Sequence, residues 1–221
     1  LRLSRESANP EEFARTLRIA FRPLLVVAVL GAVGTYLFAD FAIGIVYSKQ
    51  EFGPAGDILR AFSPALLLMY LDMLFAHAIL AVGKSGQLAK AKIVAVLVTT
   101  GAELALIPWF QNHFSNGGIG IVLALAGGEL VMVSAAVFLI REFVDGSMGI
   151  DFVRGLVAGA GTILLVRSLP TVNALIGIPL CVLTFLAASA AIGLLKRADL
   201  DLLSTMVRRR QPAAAETAPK P

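Results

Sequence analysis

Six stretches of this chain are long and apolar enough to cross a bilayer, and the lysines and arginines between them fall almost entirely on alternate sides. That pattern decides the solvent before any fold is considered, because crossing about 30 Å of hydrocarbon takes about 20 helical residues. The gaps between charges put the spans at 23–46, 60–83, 88–110, 118–140, 152–169 and 171–195. The last is the cleanest, since no Asp, Glu, Lys or Arg occurs from Ser168 to Leu195. The fifth has only 12 charge-free residues between Arg154 and Arg167, and its Gly155, Gly159 and Gly161 suit close packing against another helix. Continuous apolar runs favour helices over the alternating strands of a membrane barrel. The expected fold class is therefore all-α, a polytopic helical membrane protein with six transmembrane helices. Composition agrees: 15% of residues are charged, where soluble domains carry about a quarter.

Basic residues orient the spans. Arg2, Arg5, Arg15, Arg18, Arg22, Lys84, Lys90, Lys92, Arg141, Arg154, Lys196, Arg197, Arg208, Arg209, Arg210 and Lys220 fall on one side, 16 of the 19 in the chain. Only Lys49, Arg60 and Arg167 fall on the other. Both termini are expected in the cytoplasm, with loops 47–59, 111–117 and 168–172 facing outward across a cell inner (cytoplasmic) membrane. The net charge of +4 follows from this bias and does not argue for nucleic acid. Arg208 to Arg210 read as a stop-transfer signal touching anionic lipid.

The expected organisation is a cytoplasmic connector over 1–22, a four-helix unit over 23–142, two further helices over 143–197 and a disordered tail over 198–221. Pro10, Glu11 and Glu12 mark a helix start within the connector. Position 1 is Leu and residues 1–22 lack the apolar core of a signal peptide, so the chain is expected to continue upstream. The tail, Pro212 to Pro221, is rich in Ala and Pro. Cys181 is the lone cysteine, set in an apolar helix, which leaves no disulfide and no metal site. No HExxH, GxSxG, CxxC, GxxxxGK[ST] or GxGxxG occurs, so neither an enzyme nor a cofactor is expected. Gly117, Gly118 and Gly120 after Asn116 read as a turn between spans. Trp109 beside Pro108 reads as an interfacial anchor.

The informative residues are acids inside the spans, because a charge at the bilayer centre costs about 2.5–3.5 kcal/mol and faces a partner or a watery cavity. Asp72 and Glu129 sit near the middles of the second and fourth spans. Glu103 lies about 6 Å outward of the middle of the third, Asp40 is in the outer third of the first, and His77 is inward of Asp72. Residues three, four and seven apart share a helix face. Tyr36, Asp40, Gly44 and Tyr47 form one polar stripe; Thr99, Thr100 and Glu103 form another. Asp72 and His77 are about 140° apart around their helix and do not pair directly. No Lys or Arg within the spans is available to neutralise Asp72 or Glu129. Two readings stand: the acids line a hydrated path for a cation, proton or polar head group, or they bond neighbouring helices as neutral acids. Pro64 and Pro108 are expected to kink or end their helices.

Several segments, in order, resemble polysaccharide flippases of the multidrug/oligosaccharidyl-lipid/polysaccharide exporter superfamily. Ile45-Val46-Tyr47-Ser48, Glu51-Phe52 and Ala55-Gly56-Asp57-Ile58-Leu59-Arg60 are similar to that family's helix end and re-entry. Ala81-Val82-Gly83-Lys84 resembles its helix closing on a glycine and a basic residue. Leu106-Ile107-Pro108, then Gly117-Gly118-Ile119-Gly120 and Glu129, resemble its next unit. The likeness covers roughly residues 15–142. Ser48 stands where the family has glycine, Glu103 where it has asparagine, and the loop at 110–117 is longer and carries His113.

The resemblance implies most of the second lobe of a two-lobe transporter plus two added C-terminal helices, with an N-terminal lobe of the same protein as its partner. It also implies flipping of a lipid-linked oligosaccharide by alternating access. Asp72, Glu129, Glu103, Asp40 and His77 are then the candidates for a substrate or ion path. Arg22 and Arg60 are the candidates for lipid phosphate, and the main phosphate contacts are expected in the other lobe. An ion-coupled exporter of organic cations and a non-transporting membrane scaffold are the alternatives.

Overall fold

The computed structural model describes residues 10–47, 49–169 and 173–195; Ser48, the start of the sixth expected span and the expected tail lie outside them. Six helices make up the described chain: α1 (Pro10–Val46), α2 (Lys49–Ala81), α3 (Ser85–Phe114), α4 (Gly117–Leu139), α5 (Gly146–Ser168) and α6 (Ala174–Ala191). All six are long and apolar enough to span a membrane. The chain is an all-α polytopic membrane protein. Its surface says so as well: only 6–39% of the residues in each apolar window are buried, and a soluble protein does not leave such continuous apolar faces in water.

The helices outrun the spans read from charge. α1 has 37 residues, about 55 Å of helix, and it runs through the expected connector from Pro10 and past Pro23 without a break. Most of the expected outer loop 47–59 is the first part of α2, and residues 111–114 complete α3. Polar residues end a lipid-immersed stretch, but they do not end a helix whose backbone bonds are internal. Helix ends need a local stop. Gly83 at φ 75 supplies one, with the N–H of Lys84 donating to the Ile79 carbonyl at 3.1 Å in a glycine-terminated cap. Ser115, left-handed at φ 54, ends α3. Pro64 and Pro108 lie inside α2 and α3 and end neither; the non-helical backbone falls instead at Phe38 and Phe52.

α2 is central, with α1 on one side and α4 on the other. α3 packs chiefly along α4, α5 against α1, and α6 against α5 and α1. One buried cluster draws residues from α5 and α6, Met148, Ala158, Cys181 and Phe185 among them, as well as from α1 to α4. Phe13, Leu17, Phe21, Leu25, Val29 and Val33 form a buried stripe at four-residue spacing along α1, and Gly155 and Gly159 of α5 close onto it. A Cβ at Gly159 would stand 2.9 Å from Val29 and 3.2 Å from Val33, whereas Gly161 meets nothing.

Charged residues tie the helix ends at the basic side. Arg22 of α1 donates from Nε to Asp151 of α5 at 2.5 Å, and Arg154 reaches the same carboxylate at 3.4 Å. Arg18 pairs with Asp145, the N-cap of α5. Lys84 holds Glu142 at 2.9 Å and the Leu139 carbonyl at 2.8 Å. At the opposite side Arg60 bridges Asp40 and Asp57.

Candidate functional site

A groove of about 360 Å³ runs between α2, α3 and α4, with Asp72, Lys92, Thr99, Thr100, Glu103 and Glu129 supplying its polar wall. Its register follows from close glycine packing. The α3–α4 hairpin is tight: a Cβ at Gly120 would stand 2.6 Å from the Leu106 carbonyl oxygen, and one at Gly128 would collide with the Thr99 hydroxyl and lie 3.5 Å from the Ala95 carbonyl. The glycines after Asn116 thus serve as the first turn of α4 and as its contact with α3, beyond any turn. Gly118 abuts Ile58 of α2, and the Asn116 amide donates to the Pro54 carbonyl at 3.0 Å.

These contacts set the heights of the charged groups. With about 1.5 Å of rise per residue, Lys92 and Asp72 stand at nearly the same level, Glu129 about one turn toward the opposite end, and Glu103 roughly 10 Å beyond it. The order is one cation followed by three acids. Among the described residues no three His, Cys, Asp or Glu converge as a metal cage; the three acids stand one beyond another along the groove. Oδ1 of Asp72 and Oε2 of Glu129 are buried atoms without a hydrogen-bond partner. Lys92 lines the same groove and forms no ion pair with either of them.

Lys92 corrects the expectation that the spans hold no basic residue near these acids. On the sequence it counts among the orienting charges of the basic side. The signal was present in the stripe read as Thr99 and Glu103: positions 92, 96, 99 and 103 share a helix face, and extending the stripe inward by one heptad arrives at Lys92.

The remaining candidates stand apart from the groove. Asp40 pairs with Arg60 near a separate hollow lined by Ile43, Gly53 and Gly56. His77 is exposed, with Nδ1 2.6 Å from the Met73 carbonyl oxygen of the turn before. The expected stripe of Tyr36, Asp40, Gly44 and Tyr47 is divided, because the backbone leaves helical geometry at Phe38. Tyr36 lies under the Arg167 guanidinium at 4.8 Å and Tyr47 packs on Phe52 at 4.5 Å between ring centres. Both lipid-phosphate candidates are engaged by carboxylates, Arg22 by Asp151 and Arg60 by Asp40 and Asp57.

Fold and site together define a helical membrane protein with a polar groove open along its outermost helix. No protein-family model, curated protein or solved structure matches the chain.

Proposed function

We propose that the chain is part of a membrane transporter that flips a lipid-linked oligosaccharide for cell-surface polysaccharide, across the cytoplasmic membrane and by alternating access. The observation that carries this reading is the placement of the groove. Its polar wall is bordered by α3, whose apolar window is 6% buried and whose Ile93, Val94, Leu97 and Leu104 are exposed. An amphiphile can lodge a sugar head group among Asp72, Thr99, Thr100, Glu103 and Glu129 while its tail stays in the lipid beside α3. The resemblance over residues 15–142 points the same way, with an N-terminal lobe completing the path and both termini in the cytoplasm.

Three acids against one lysine favour a second reading, an ion-coupled exporter of organic cations. A third reading, a scaffold that transports nothing, leaves the buried carboxylate oxygens without a role. The test is reconstitution of the full-length protein with a fluorescent polyprenyl-diphosphate disaccharide, measuring its movement between leaflets. Flipping abolished by Asp72→Asn with Glu129→Gln supports the first reading. Export of a lipophilic cation without flipping supports the second. Loss of surface polysaccharide on gene deletion, restored by the full gene, separates transport in the cell from a scaffold role.

A further inference from the structure

α4 and α5 follow one another in the chain, yet α4 packs on α2 and α3 while α5 packs on α1 and α6. A second groove, of about 470 Å³, lies where the two helices part. Leu130, Val133, Ser134 and Val137 form its α4 wall, at three- and four-residue spacing along one face. Met148, Gly149 and Phe152 form its α5 wall, and the Ser134 hydroxyl is the one polar side-chain group among the described residues that line it. An engineered apolar cavity of about 150 Å³ takes a benzene ring; this groove, roughly three times larger, has room for one hydrocarbon chain. A Cβ at Gly149 would meet nothing within 4 Å, so that wall is open.

Length and charge narrow the occupant. From Leu130 to the end of α4 at Leu139 is about 14 Å of helix, close to half of the roughly 30 Å hydrocarbon thickness and so to the depth of one leaflet. The shallow end lies on the basic side. There Arg18 is paired with Asp145 and Lys84 with Glu142. Arg141, which stands in the chain between the groove-lining Val137 and Val144, is exposed and belongs to none of the ion pairs of the described residues. Its guanidinium lies over the Phe138 ring at 5.2 Å, and a guanidinium stacked by its face keeps its N–H edge for an oxyanion. The groove shares no residue with the one that holds Asp72 and Glu129 and uses another face of α4. A cargo tail lying beside α3 therefore does not enter it.

We propose that the α4–α5 groove is the seat of one resident anionic phospholipid of the leaflet on the basic side, with an acyl chain between the two helices and its phosphate on Arg141. The lipid supplies the contact between α4 and α5 that the chain itself does not make. Its negative head group answers the one rim cation that no carboxylate meets. The inference needs only that the chain spans a membrane, and it is independent of whether the protein transports anything.

The test is photo-crosslinking of the full-length protein in phosphatidylcholine nanodiscs doped with phosphatidylglycerol that carries a diazirine in its acyl chain. Adducts are mapped by peptide mass spectrometry. They are expected on residues 130–137 and 148–152, more densely than on the lipid-exposed residues 93–104 of α3. Arg141→Gln is expected to lower the yield there about fivefold, the size of one basic residue's attraction to an anionic membrane surface, and Arg141→Lys to keep most of it. Gly149→Leu puts a side chain into the open groove and is expected to abolish these adducts with the helical circular dichroism unchanged. Labelling no denser than on α3 marks ordinary boundary lipid and overturns the proposal. A yield that Arg141→Gln leaves unchanged overturns it, as does equal labelling by a diazirine phosphatidylcholine. Displacement of the label by a polyprenyl-diphosphate disaccharide gives the groove to cargo and overturns it too.

Discussion

Replacing Asp151 with alanine is expected to cost about 3 kcal/mol of stability, more than any other single charge deletion in the described chain. The reasoning starts from exposure. Asp151 is 1% exposed, receives the Arg22 Nε at 2.5 Å and stands 3.4 Å from the Arg154 guanidinium. Removing the carboxylate leaves Arg22, itself only 16% exposed, without a counter-charge between α1 and α5. Breaking a buried pair from one side costs about 3–5 kcal/mol, and the lower end applies because Arg22 keeps partial access to solvent. Arg154 is 41% exposed, so Arg154→Ala is expected to cost less than about 1 kcal/mol. The double variant Arg22→Met with Asp151→Leu removes both charges and is expected to lie within about 1 kcal/mol of the wild type. Reversible unfolding in mixed micelles with increasing dodecyl sulfate, followed by far-ultraviolet circular dichroism, measures all three. The reasoning is refuted if Asp151→Ala costs under about 0.5 kcal/mol, if Arg154→Ala costs as much, or if the double variant is as unstable as Asp151→Ala.

Gly120→Ala places a methyl group against the α3 backbone and is expected to destabilise by about 1–3 kcal/mol, while Gly161→Ala, which meets nothing, is expected to be neutral or stabilising in the same unfolding assay. Arg60→Ala removes a bridge to two exposed carboxylates and is expected to change stability by under about 1 kcal/mol; a larger loss shows that the Asp40 hollow is more enclosed than its exposure indicates. Leu97→Arg puts a charge on an apolar side chain exposed at 67% and is expected to cost about 2.5–3.5 kcal/mol in a membrane-insertion assay, whereas a water-facing position would tolerate it.

Much of the architecture was legible in the sequence because hydrophobic patterning and charge bias are local properties. The six spans, the membrane as solvent and the segregation of basic residues need only the cost of placing polar groups in hydrocarbon. Helix ends were less legible. The charges at 49–59 and the carboxylate of Asp151 set the ends of the spans read from the sequence, yet the helices continue past them, because termination depends on backbone conformations such as those at Gly83 and Ser115. Pro64 and Pro108 do not end their helices for a related reason: a helix within a membrane tolerates proline where its neighbours support it.

The acids of the groove were legible one by one, since a carboxylate amid apolar residues is conspicuous in any window. What joins Asp72, Glu129 and Glu103 while leaving Asp40 and His77 elsewhere is the packing of α4 between α2 and α3 through Gly118, Gly120 and Gly128. Lys92 belongs to that set only because antiparallel packing brings its level to that of Asp72, and Arg22 meets Asp151 across 129 residues of chain for a similar reason. Sequence alone determined which segments leave water, through transfer free energies that each residue carries independently. Tertiary structure decided which buried charges face one another, because that depends on helix register and close approach, and these are properties of pairs of helices.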